Sequence, residues 1–261
     1  MIVKVVDLYF SYGQNEVLNG ISFNMEKPIL LGVIGSNGSG KTTLLRNISG
    51  YLKPNRGSVF LFDRNVVDIP RKERARLIGY VPQDIVYDFD FTAYEIVMMG
   101  RLPHLGRFQA ERKIDREVVE RSMLITDVWH LRDKPLRKLS GGERQRVYIA
   151  RALSQEAKIL LMDEPVAHLD IKYQLEILSV IRGLVERGIA VIIVLHDVNL
   201  ASIYCDEIIV LKDGTILAKG KPEEVITEGV IREAFSIDVR VINPEDGLNR
   251  PLVIPNFVRK T

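Results

Sequence analysis

The chain has 261 residues, of which 46% are hydrophobic and 27% charged, enough apolar material for a real core and too much for a disordered chain. Its 36 Lys and Arg against 34 Asp and Glu give a net charge of +2, and the charges alternate in sign where they cluster, at 71–76 and 107–121, so a nucleic-acid partner is not expected. The single cysteine, Cys205, excludes an internal disulfide, and the lack of any CxxC or Cys/His cluster excludes a structural zinc site.

The first ten residues alternate apolar and polar side chains without the charged start, apolar stretch and cleavage site of a secretory signal, so a cytoplasmic chain is expected. Apolar runs such as Ala190 to Leu195 fall far short of the ~20 residues of a membrane span, so any membrane role is expected to be peripheral. Val3 to Tyr12 and Val17 to Met25 read as half-buried antiparallel strands joined by a turn at Gly13-Gln14-Asn15. Ile29 to Ile34 is almost wholly apolar and β-branched, the pattern of a strand buried on both faces. Glycine-rich sequence follows it, and Thr42 to Ser49 then reads as helix. After the short strand Ile78 to Val81, the stretch Thr92 to Leu153 has helical patterns and almost no strand candidates. It predicts a helical subdomain, about 84–155, inserted into the core.

Ile159 to Met162 and Ile189 to Leu195 are two more buried-strand runs, separated by a helix over Ile171 to Arg187 with Leu175, Leu178, Ile181 and Leu184 as its apolar positions. The alternation of strand and helix predicts an α/β fold with a parallel core sheet and an N-terminal antiparallel β subdomain. Residues 236–261 carry Pro244, Gly247, Pro251 and Pro255 around the short β-like pieces Val239 to Ile242 and Leu252 to Ile254, which predicts a small appendage to a domain spanning 1–235.

Three segments carry chemistry. Gly35-Ser36-Asn37-Gly38-Ser39-Gly40-Lys41-Thr42, followed by Thr43, matches GxxxxGK[ST] between a buried strand and a helix. There the glycines let successive N–H groups curl round phosphate oxygens, Lys41 reaches the β- and γ-phosphates, and the Thr42 hydroxyl can ligate Mg²⁺. Second, the apolar strand ending in Asp163-Glu164 places two carboxylates where open α/β sheets bind ligands. Asp163 suits Mg²⁺, and Glu164 suits the orientation or deprotonation of a water attacking the γ-phosphate. Third, Leu139-Ser140-Gly141-Gly142-Glu143-Arg144-Gln145-Arg146 puts Ser140 at a helix N-cap, a second anion-binding helix start.

With these motifs in this order, Ile2 to Phe235 resembles the nucleotide-binding domain of ATP-binding-cassette proteins, a P-loop NTPase fold. Leu139 to Gln145 resembles the family signature, with Glu143 where Gln is more usual, and Val166 stands where Thr commonly follows the proline. The resemblance implies that Tyr12 stacks on adenine, with Tyr9 and Phe10 as rivals, and that Gln83 senses Mg²⁺ and the attacking water. It further implies that Asp170, in Ala167-His168-Leu169-Asp170, feels the other subunit's site, and that His196 contacts the γ-phosphate. ATP and Mg²⁺ are the implied cofactors. The implied partners are a second copy in a head-to-tail ATP-sandwich homodimer, a separate integral membrane permease and, indirectly, a substrate-binding protein, at the cytoplasmic face of the membrane.

The segment from Asp84 to Arg107, with Tyr87, Phe89, Phe91, Met98, Met99 and Leu102, corresponds to the place where the family receives its permease. Val97 to Phe108, together with Gly247 to Pro255, looks like the importer ATPases of iron-siderophore, haem and cobalamin permeases, with zinc or manganese importers behind. Two further classes stay open: a non-transport cassette ATPase acting on nucleic acid or ribosomes, and a monomeric P-loop kinase or GTPase. His104, His130 and His168 are too scattered to form a metal site, and Trp129 and Cys205 are expected to pack.

Overall fold

The structure is a computed structural model that describes residues 1–83, 90–106, 109–244 and 250–256. The chain forms two compact units, Met1–Asp68 with Ile192–Thr261, and Ile69–Val191.

The first unit opens with β1 (Val3–Tyr12) and β2 (Asn15–Met25), then β3 (Leu30–Gly35), α1 (Lys41–Ile48), β4 (Arg56–Leu61) and β5 (Arg64–Asn65). β2, β1, β4 and β5 lie in that order in an antiparallel sheet. Alternation along β1 slips by one residue, since Val3 and Val5 are buried and then Leu8 and Phe10. The pairing with β2 shifts register at the same place, between Val5 and Leu8, and Asp7 adopts φ 48°. A bulge there keeps both halves of the apolar set on one face, because each extra residue flips the following side chains across the sheet. β3 is buried along its whole length, as its apolar run predicts.

The second unit holds α2 (Arg71–Leu77), β6 (Ile78–Val81), α3 (Ala93–Met98), α4 (Lys113–Ile125), α5 (Gly141–Ser154), β7 (Ile159–Asp163) and α6 (Ile171–Glu186). β6 and β7 pair in parallel, with Val81 opposite Met162. α6 corrects one expectation: its inward positions are Ile177, Leu178, Ile181 and Leu184, while Leu175 is 40% exposed. Leu175 precedes Leu184 by nine residues, two and a half turns of helix, so the two side chains leave on opposite sides.

The helices of this unit enclose charge as well as apolar surface. Arg101 bonds Asp115 at 3.0 Å, Glu156 at 2.8 Å and the Ser154 carbonyl at 2.6 Å. Arg101 and Asp115 are buried, and the Arg112 side chain beside Asp115 holds that carboxyl well below its usual range. Three acceptors around Arg101, and four donors from Arg101 and Arg112 around Asp115, offset the desolvation of each charge. A Cβ on Gly100 would strike the Ser154 hydroxyl and the Arg151 carbonyl, so only glycine lets this segment approach α5.

β8 (Ala190–Val194) carries the chain back into the first unit, where α7 (Val198–Tyr204), β9 (Glu207–Lys212), β10 (Thr215–Gly220), α8 (Pro222–Val225), α9 (Glu228–Phe235), β11 (Val239–Ile242) and β12 (Leu252–Pro255) complete it. β3 pairs in parallel with β9, from Leu31 opposite Glu207 to Gly35 opposite Leu211, and β10 pairs antiparallel with β9. β11 and β12 form a two-stranded antiparallel hairpin.

Candidate functional site

The loop between β3 and α1 is shaped by backbone that only glycine adopts easily. Gly35, Gly38 and Gly40 have φ 153°, 79° and 100°. A Cβ on Gly40 would stand 2.8 Å from Leu18 Cδ2 and 3.0 Å from the Val17 carbonyl, and one on Gly35 would meet the Leu211 carbonyl. The loop is thus wedged between β2 and β9, which side-chain-bearing residues could not allow. Lys41 is 5% exposed, and its Nζ donates to the Gly35 and Ser36 carbonyls, each at 2.9 Å.

Two further details suit an anion. Gly40, the N-cap of α1, is left-handed and gives no side-chain cap, and no acidic residue occupies the first turn. The positive end of the helix is therefore not neutralised by its own side chains. The Ser39 hydroxyl is buried without a hydrogen-bond partner, a costly state for a polar group in the loop. These residues fit a bound phosphate group.

His196 lies two residues past the end of β8 and is exposed. The Leu195 amide donates to the Val33 carbonyl at 3.2 Å, so the chain enters His196 beside the strand that enters the phosphate loop. Asp197 is the N-cap of α7, its Oδ1 accepting from the Asn199 and Leu200 amides at 2.8 and 3.0 Å. Of the three aromatic rivals on β1, Phe10 is buried, Tyr9 lies under the Arg56 guanidinium at 5.0 Å, and Tyr12 is 46% exposed with its ring edge-on to Phe10.

In the second unit, Gln83 lies two residues past β6, and Asp163 ends its parallel neighbour β7 with Glu164 next in the chain. Asp163 is 3% exposed and accepts from the Tyr80 hydroxyl at 3.2 Å. A buried carboxylate is an acceptor-only oxygen ligand, the chemistry a hard divalent cation requires. Glu164 has φ 52°, and so breaks the strand's alternation at the residue proposed for chemistry. A non-glycine residue in that region costs about 1–2 kcal/mol, a strain found repeatedly at functional positions. Gln83 is exposed, and so is Asp170, the N-cap of α6, whose carboxylate makes no cap hydrogen bond.

The signature segment is built by side chains. Ser140 caps α5: its Oγ accepts from the Glu143 amide at 3.3 Å while Glu143 Oε2 accepts from the Ser140 amide at 2.7 Å. The Ser140 N–H beside it, with the Ser140 hydroxyl, holds the Glu143 carboxyl below its usual range. The box thus ties both the amide and the hydroxyl of Ser140 to Glu143, while the first N–H groups of α5 have no carbonyl to bond within the helix. A Cβ on Gly142 would come within 2.9 Å of the Tyr173 ring, and one on Gly141 within 3.1 Å of Leu169. The start of α5 is thereby packed against the loop before α6 and its first turn.

Tyr80 and Tyr173 are absent from the residues expected at the site. Tyr80 could have been found from alternation, since it lies on a strand two residues before Pro82; Tyr173 carries no such local signal. Tyr87, Phe89, Arg107, Phe108 and Gly247 lie outside the described residues. Phe91, Met98 and Met99 are half-buried and Leu102 is 64% exposed, whereas Arg101 turns inward. Among the described residues no group of three or more His, Cys, Asp or Glu could hold a metal, and no helix is long and apolar enough to cross a membrane.

Known proteins are similar to this chain. The family pattern described as ABC transporter matches residues 18–167. The hemin import ATP-binding protein HmuV of Pseudomonas putida (strain ATCC 47054) is 40% identical over 259 residues, covering 97% of this chain and 99% of that protein. The uncharacterized ABC transporter ATP-binding protein YvrA of Bacillus subtilis (strain 168) is also 40% identical, over 242 residues and 92% of this chain, which spans 55% of YvrA's length. Among solved structures, an inward-facing ABC transporter described as of metal-chelate type is 26% identical with a TM-score of 0.87, covering 98% of this chain and 97% of that one. The chain belongs to the ABC transporter family, as an ATP-binding subunit with the P-loop cassette fold that hydrolyses ATP.

Proposed function

We propose that this chain is the ATPase subunit of an importer for a metal chelate, of the iron-siderophore, haem or cobalamin type, acting through separate integral membrane permease subunits at the cytoplasmic face of the membrane. The observation that carries this reading is the end-to-end likeness to a hemin import protein, 97% of one chain against 99% of the other. A substrate-binding protein takes part indirectly, and nucleic acid does not. Residues 1–235 form the nucleotide-binding domain, with about 84–155 as an inserted helical subdomain, and 236–261 are an appendage.

Within that reading, Gly35 to Thr43 hold the phosphates and Tyr12 stacks on adenine. Lys41 exchanges the carbonyls of Gly35 and Ser36 for phosphate oxygens, and the Ser39 hydroxyl gains the partner it lacks. Mg²⁺, when bound, neutralises charge on the β- and γ-phosphates. Thr42, Gln83 and Asp163 supply a hydroxyl, an amide and a carboxylate suited to it. Glu164 takes the proton of the attacking water, and His196 contacts the γ-phosphate. Ser140, Gly141, Gly142 and Glu143, with Asp170, serve the site of a second copy, so that ATP closes a homodimer and hydrolysis reopens it.

The test is to purify the tagged chain from gently solubilised membranes of its native cells and identify what accompanies it by mass spectrometry. A many-span permease with a substrate-binding lipoprotein is the expected result. Recovery only with ribosomes or nucleic acid overturns the transport reading and leaves the ATPase.

A further inference from the structure

α7 begins two residues after His196, and a segment from the other end of the chain grips it along one face. Asn199 makes a two-way bond with Val253: its Nδ2 donates to the Val253 carbonyl at 3.1 Å and its Oδ1 accepts from the Val253 amide at 2.7 Å. One turn on, the buried Ser202 hydroxyl donates to the Pro251 carbonyl at 2.6 Å. At the C-cap, Arg250 Nη1 donates to the Cys205 carbonyl at 2.8 Å. Positions 199, 202 and 205, three apart and so on one side of the helix, thus meet 253, 251 and 250, which run the opposite way. Cys205 itself is fully buried, its Sγ lying 2.7 Å from where a Cβ on Gly32 would stand, on the strand that delivers the phosphate loop.

We propose that Arg250–Val253 is a strap that sets the position of His196 through α7, which makes Asn199 and Ser202 positioning residues for ATP hydrolysis. The proposal rests on the reading of His196 as the γ-phosphate contact. A helix of seven residues is too short to hold its own orientation in water. The bonds that hold it here are polar and directional, so they fix its rotation about its axis as well as its distance from the hairpin. That rotation carries Asp197, whose carboxylate caps the helix at the amide of Asn199, and with Asp197 the adjoining His196. The same residue, Asn199, therefore receives the cap through its backbone and the strap through its side chain.

The experiment measures steady-state ATP hydrolysis by the full chain against ATP concentration, for wild type and for Asn199→Ala, Ser202→Ala, Arg250→Met and His196→Ala. Asn199→Ala and Ser202→Ala are expected to lower kcat about tenfold, the scale of a small misplacement of a reacting group. KM for ATP should move by less than about twofold, since the phosphate loop is untouched. Arg250→Met, a change at a half-buried residue, serves where Ser202→Ala fails to fold, and is expected to lower kcat in the same sense. Backbone hydrogen exchange should quicken at 196–200 and stay unchanged at 41–48. If His196→Ala loses turnover while the strap variants keep wild-type kcat, the strap is wrong and the reading of His196 stands. Wild-type turnover by His196→Ala removes the reading of His196 and the strap's role with it. A rise in KM matching the fall in kcat, with exchange quickened throughout, would make the strap merely structural and overturn the proposal.

Discussion

The starts of α1 and α5 use the same small residues and are satisfied in opposite ways. At α1 the cap is a left-handed glycine with no side chain to offer, the first turn has no acid, and a buried lysine is folded back onto two carbonyls. At α5 the cap is a serine closed by a reciprocal bond with Glu143. One helix start keeps its donors and its positive field for an anion, and the other has tied its cap amide and cap hydroxyl to its own glutamate. The difference teaches that a glycine-rich helix start becomes a strong phosphate site when its own cap is withheld. A capped start serves better as a second contact to a phosphate already held elsewhere.

Three substitutions sharpen this contrast. Lys41→Met should cost the most: ATP affinity measured by calorimetry is expected to fall by about two orders of magnitude, the worth of charge-assisted bonds to phosphate. An affinity within a few fold of wild type would mean that the backbone alone makes the site. Ser140→Ala comes next, lowering stability to denaturant by about 1 kcal/mol through the lost cap, with ATP affinity falling far less than in the lysine variant. Should affinity fall as far as in the lysine variant, the division of labour between the two helix starts is wrong.

Glu143→Gln should have the smallest effect, because the amide keeps the geometry of the box and removes only its charge, about 0.3–1 kcal/mol at a helix N-terminus. Its pH dependence is the informative part. Since the folded carboxyl lies below its usual range, the charged cap contributes fully above that range and is lost as pH falls through the lowered value. Stability curves of wild type and Glu143→Gln should therefore separate at neutral pH and converge in acid, and parallel curves would show that the charge is not used.

Much of the fold was legible where the pattern was local. β3 announced itself by an unbroken apolar run, α5 by a serine before helical periodicity, and the β11–β12 hairpin by two β-like pieces among prolines. β4, β9 and β10 have no counterpart among the strands expected from sequence, although the first unit depends on them. β10 is mostly half-exposed and β4 begins with Arg56-Gly57, so neither shows a clean alternation, and such strands are specified by their neighbours in the sheet. The apolar stripe of α6 was misplaced at Leu175 for a different reason, since a spacing of three drifts off the face of a helix whose period is 3.6.

The sequence by itself determined the order of the chemistry: which residue follows which strand, where glycine must stand, and that Ser140 begins a helix. These are consequences of short-range sterics and hydrogen bonds, and they travel with a dozen residues of chain. Tertiary structure decided the rest. The carbonyls of Val17 and Leu211 crowd the phosphate loop so that only glycine fits, Tyr80 reaches Asp163, and Arg250 to Val253 come to lie along a helix some fifty residues earlier. Such contacts join residues far apart in the chain, and their cost in loop entropy is met only when the whole core is buried at once.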